Sequence, residues 1–109
     1  MKLSSYDIGG EIVKQDSRYL VKDNTTLERL VVSSTTLYAG QSTSGHKHDG
    51  QEEVYQFVYG EGKMQLDDET FVVSSGDVVL VKDGVFHRVF NTGKQPMYFV
   101  CVFEGKRNH

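Results

Sequence analysis

Val54-Tyr55-Gln56-Phe57-Val58-Tyr59, Lys63-Met64-Gln65-Leu66 and Thr70-Phe71-Val72-Val73 are three short runs rich in β-branched and aromatic residues. Only Gly60-Glu61-Gly62 and Asp67-Asp68-Glu69 separate them. A helix would repeat its apolar residues every three to four positions. Here Met64 and Leu66 alternate with Lys63 and Gln65, the period of a strand with one buried face. Breaks this short, carrying Gly or Asp, read as hairpin turns. The stretch therefore predicts consecutive strands joined by tight turns.

The same grammar extends both ways. Upstream lie runs at Arg18–Val21, Leu27–Val32 and Thr35–Ala39; downstream lie Val78–Val81, His87–Phe90 and Met97–Phe103. A polar loop, Asn91 to Pro96, holds the only proline. No segment shows a helical period, and no linker, repeat or low-complexity tract divides the chain. The pattern predicts an all-β sandwich or barrel in one domain spanning residues 1–109. Val78–Val81 and Met97–Phe103 are apolar on both faces, so each needs cover on both sides. A second copy of the chain is the expected cover, which predicts a homodimer; the N-terminal segment folding over the barrel is the alternative. The polar tail from Glu104 to His109 is expected to fray, with His109 disordered.

Composition narrows the function. The chain has 109 residues, 38% hydrophobic and 25% charged, with a net charge of −3 and a pI near 5.7. That is a globular mix for a single core. It carries no basic surplus to neutralise phosphates, so no nucleic-acid partner is expected. The longest apolar runs fall far short of the roughly 20 residues of a membrane helix, so no membrane partner is expected either. Met1–Gly10 lacks the apolar core of a signal peptide. The single cysteine, Cys101, sits in the apolar run Tyr98–Phe103 and forms no intrachain disulfide. It reads as a buried structural thiol in a reduced, cytoplasmic protein.

Chemistry concentrates in three of the four histidines. His46 and His48 stand two apart, so on an extended segment both imidazoles project from one face and can reach one ion. A carboxylate follows at Glu52 or Glu53, heading the Val54–Tyr59 run, and His87 heads a later one. Three neutral imidazoles and a carboxylate are borderline donors suited to a divalent first-row metal: zinc, iron, manganese or nickel. Such a site keeps a surplus positive charge and is hospitable to a carboxylate, an enolate or a phosphate.

Two stretches carry a resemblance. Residues 40–60 place Gly40, then five intervening residues, then His46-Lys47-His48, then Glu53, and Gly60 after six more intervening residues; this resembles the first cupin motif. Residues 76–91 place Gly76, Gly84, His87 and Asn91 as in the second, with Lys82 where that motif has proline. The departure touches a turn and not a ligand. The resemblance implies a jelly-roll β-barrel with a metal inside one mouth, held by His46, His48, Glu53 and His87. With Glu53 facing inward, strand parity also points Tyr55, Phe57 and Tyr59 into the interior, and Tyr55 becomes the candidate catalytic residue. The chain is similar to small cupins described as mannose-6-phosphate-isomerase-like. This implies a metal-dependent isomerase or epimerase acting on a small carbohydrate-like or hydroxy-carbonyl substrate. An iron-dependent dioxygenase and a non-catalytic small-molecule binder stand as alternatives, because the fold does not dictate the chemistry.

Overall fold

The structure is a computed structural model describing residues 1–105 and Arg107. Among these it forms nine strands and no helix: β1 (Glu11–Gln15), β2 (Tyr19–Asn24), β3 (Leu30–Leu37), β4 (Glu53–Tyr59), β5 (Glu61–Leu66), β6 (Glu69–Ser74), β7 (Val78–Val81), β8 (His87–Phe90) and β9 (Met97–Glu104). Six strands pair in the order β1-β2-β3-β9-β4-β7 and three in the order β6-β5-β8, all antiparallel. One apolar cluster draws Val21, Leu37, Phe57 and Phe103 from the large sheet and Met64, Val73 and Val89 from the small one, so the sheets pack face to face. This is a jelly roll. The sheets do not join into a continuous hydrogen-bonded barrel; one open side is narrowed by isolated bridges from Ser42 to Phe90 and from His46 to His87.

Several expectations are corrected. Leu27–Val32 and Thr35–Ala39 are not two strands, since β3 runs through Ser33 and Ser34. Both serines are buried, and Ser33 Oγ donates to the Lys22 carbonyl at 3.1 Å, so a polar pair sits in mid-strand without loss. β1 has no counterpart among the expected runs because it is an edge strand with an exposed pattern. Gly60 does not close a hairpin: β4 and β5 belong to different sheets, and Gly60 is the corner between them. Its φ of 83° and the closeness of Met97 leave no room for a Cβ. The Asp67-Asp68 turn is the hairpin expected, pairing β5 with β6.

The strands apolar on both faces are covered differently. Behind β9, Ile8 from the N-terminal segment packs on Tyr98 and Val100, so the chain supplies its own cover there. On β7 the outward Val78 and Leu80 stay 58% and 68% exposed, beside Val54 at 41%. No helix among the described residues is long and apolar enough to cross a membrane.

Candidate metal centre

β4 begins with Glu53, and its inward face continues through Tyr55 and Phe57, all buried, while Glu52 is exposed. The pairing with β9 slips between Phe57 and Tyr59. That slip turns Tyr59 outward, where it stacks on Tyr98 at 5.2 Å between centroids; Tyr59 therefore does not line the interior as parity alone predicts.

His87 opens β8 and is paired through both backbone groups with His46: His46 N donates to His87 O at 3.0 Å and His87 N to His46 O at 2.8 Å. Arg88, on the other face, fastens the approach to this pair, with Nε donating to Thr43 O at 2.8 Å and Nη2 to Ser42 Oγ at 3.0 Å. A Cβ at Gly45 would meet the tip of the Phe86 ring, so a larger residue there would make that ring move. Gly84 N donates to His48 O at 2.8 Å, tying the two His-bearing loops together. A backbone bond from Val85 N to Lys82 O closes the turn at the position where proline is missing. Asn91 donates to Leu37 O and Gln95 O, closing the far end of β8.

His48, Glu53 and His87 converge. Each offers one ligand atom, all within 4.8 Å of one another, and all three residues are buried. Glu53 Oε1 lies 3.7 Å from His48 Nε2 and 3.5 Å from His87 Nε2. Donors at about 2.1 Å from a common ion stand roughly 3–3.5 Å apart, so the spacing and the N/O donor set fit a divalent metal. His46 adjoins the group, its ring 5.7 Å from that of His48 and 6.3 Å from that of His87.

The surroundings prepare these atoms for an ion. His87 Nδ1 lies 3.1 Å from the Val85 carbonyl, which favours the tautomer that presents Nε2 as a lone pair. Cys101 Sγ donates to Glu53 Oε2 at 2.9 Å, leaving Oε1 toward the histidines. Burial, with Glu53 next to it, keeps that thiol well above its ordinary pKa, so it remains a donor. Burial likewise raises the Tyr55 phenol. Burial pushes the His46 imidazole down to about 4, aided by the charge on Lys14. It lowers His48 too, against the opposing pull of Glu53. The neutral imidazole is the metal-binding form.

A cavity of about 50 Å³ opens beside the cluster, lined by His46, His87, Tyr55 and Cys101, and by two residues the sequence reading passed over, Lys14 and Arg107. Arg107 belongs to the tail expected to fray. Instead its Nε and Nη2 grip Asp23 at 2.7 Å each. His109 lies outside the described residues. Cys101 is buried as expected, but it also orients a candidate ligand.

A family model described as "Cupin domain" matches residues 33–103. The chain belongs to the cupin family. Among curated relatives, the cupin is 29% identical over 94 residues to an uncharacterized protein of Methanocaldococcus jannaschii, covering 76% of this chain and 75% of that one. It is 28% identical over 94 residues to an oxalate-binding protein of Thermotoga maritima, covering 86% and 78%. It is also 28% identical over 116 residues to a glucose-6-phosphate isomerase of Thermococcus kodakarensis, covering 91% of this chain and 61% of the enzyme. A solved structure from Thermotoga maritima, described as a predicted oxalate decarboxylase, superposes with a TM-score of 0.80 at 24% identity, covering 95% of this chain and 98% of that one. Lys14, Asp23 and Arg107 all fall outside the residues that match the family model.

Proposed function

We propose that this cupin binds one divalent metal through His46, His48, Glu53 and His87 and uses it on a small hydroxy-carbonyl or carbohydrate-like molecule, as an isomerase-type enzyme of the mannose-6-phosphate-isomerase-like kind. The observation that carries the reading is the convergence of His48, Glu53 and His87 within 4.8 Å beside a cavity. A bound divalent ion there supplies Lewis-acid polarisation of a carbonyl oxygen. The chain's own residues supply the rest. Isomerisation needs a group that carries a proton, and the Lys14 ammonium lines the cavity, made a readier proton donor to a substrate oxygen first by burial and then by the charge of Arg107. Tyr55, held protonated by burial, is suited to donating a hydrogen bond to oxygen and not to abstracting a proton. The isomerase among the relatives supports this reading.

A specific observation favours a second reading, binding without turnover. The described residues lining the cavity include no carboxylate to act as a general base, and one relative is an oxalate-binding protein. Both readings take a small-molecule partner. The exposed Val54, Val78 and Leu80 support a homodimer formed across the β4–β7 face. We place the protein in the cytoplasm on the strength of its one reduced, buried cysteine.

The deciding experiment loads the protein with zinc, manganese, nickel or iron and offers small hydroxy-carbonyl compounds in heavy water. Exchange of a substrate C–H, read by NMR, supports the isomerase. A ligand-dependent rise in melting temperature without exchange supports the binder. If none of the four metals binds stoichiometrically, both readings are contradicted.

A further inference from the structure

Lys14 and Arg107 reach the cavity from opposite ends of the chain: Lys14 from β1, and Arg107 from beyond β9. Arg107 is held on three sides. Nε and Nη2 form a fork on the two oxygens of Asp23, Nη2 also donates to Ser33 Oγ at 2.7 Å, and the guanidinium lies over the Phe103 ring at 5.2 Å. These bonds occupy Nε and Nη2. The Nη1 hydrogens make no bond among the described residues, and a planar guanidinium with spare donors recognises carboxylates. The side chain is only 18% exposed, so its charge acts with little screening by water.

Charge balance points the same way. A divalent ion set against Glu53 alone keeps a positive surplus. Asp23 offsets Arg107, which leaves Lys14 as a second surplus charge, and the described lining of the cavity holds no acidic side chain. The unmet charge is that of an anion. Size fits a small anion: about 50 Å³ gives room for about four water-sized groups, enough for a short acid.

We propose that Lys14 and Arg107 form an anion-binding half-site that selects a small carboxylate of about two to four carbons, with Arg107 as the specificity-determining residue and Asp23 as its internal competitor. The proposal rests on the metal reading above for the opposite end of the ligand, which the ion would take. Its residues come from the N- and C-terminal segments: Lys14, Asp23 and Arg107 lie beyond the residues 33–103 that match the family model.

The test is calorimetric titration of the zinc-loaded protein with two probes. Malonate carries the charge, and imidazole reaches a metal without it. The wild type should bind malonate. Arg107→Met should weaken malonate tenfold or more and Lys14→Met several-fold, while Asp23→Asn, by releasing the guanidinium, should tighten it. Imidazole affinity should stay within twofold throughout. Equal malonate affinity in wild type and Arg107→Met overturns the proposal, as does a parallel loss of imidazole, which would make Arg107 merely structural. If Arg107→Met misfolds because Asp23 is left alone, the Asp23→Asn/Arg107→Met double variant replaces it under the same criteria. If the chain retains no zinc, the metal reading fails on its own. The half-site is then read from the melting temperature of the metal-free protein in malonate: a rise present in wild type and absent in Arg107→Met upholds it, and no rise in wild type overturns it.

Discussion

The two walls of the cavity were built by different means. The histidine wall comes from residues 46–101, where His46 and His87 are locked by backbone pairing and Glu53 by the Cys101 thiol. The cationic wall comes from the two ends of the chain, where Lys14 projects from an exposed edge strand and Arg107 is held by a side-chain pair. A ligand atom must be placed to within tenths of an ångström, and here strands β4 and β8 and the backbone bonds that tie the His-bearing loops to each other supply that placement. A charge acts at longer range and tolerates a looser mount. On the reading proposed above, the contrast would separate what fixes an ion from what chooses its companion.

If the histidine wall is part of the core, breaking the core should break it first. Phe57 is 1% exposed and sits two residues beyond Tyr55 on the inward face of β4. Phe57→Ala should lose about 3–5 kcal/mol of stability, read by urea unfolding, and metal binding with it. A substitution confined to the cationic wall, Lys14→Met, should leave the unfolding midpoint nearly unchanged.

A finer cut keeps the fold and loosens one ligand. Cys101→Ala removes the donor to Glu53 Oε2 without adding bulk, and should weaken metal affinity by about 10–100-fold, as loss of an outer partner does. Cys101→Ser, which can still donate, should recover part of it. Competition with a chromophoric chelator measures both. Equal affinity in all three proteins would show that Glu53 is placed by its strand alone.

The smallest expected effect is in pH. His46 has its folded pKa lowered to about 4 from an ordinary 6.5. Between those values the unfolded chain binds more protons, so the metal-free protein should be fully stabilised above about 6.5 and lose stability as pH falls toward 4. His46→Gln should flatten that part of the stability profile. An unchanged slope would mean that His46 is no more buried than it is in the unfolded chain.

The two walls also differ in how far the sequence revealed them. Alternation at Met64 and Leu66 disclosed the strands, because strand parity is a local property; His46, His48, Glu53 and His87 were singled out by their likeness to two family motifs, and the fold brings His48, Glu53 and His87 together. What escaped was set by long-range packing. No period marks Lys14 as facing a cavity, since β1 is exposed almost throughout. Arg107 gains its place from a partner 84 residues away, Asp23, and the polar residues around it read as a free tail. The slip that turns Tyr59 outward comes from the pairing with β9, which lies some 40 residues beyond β4. Cys101 read as inert because its neighbour Glu53 is close only in space.

The central claim is that His48, Glu53 and His87, with His46 beside them, hold an ion. Elemental analysis of the purified protein after dialysis against zinc tests it most directly, run alongside His48→Ala/His87→Ala, with circular dichroism confirming that both keep their β signature. One zinc per chain is expected in the wild type and none above background in the variant. Equal metal in both, or none in the folded wild type, would contradict it.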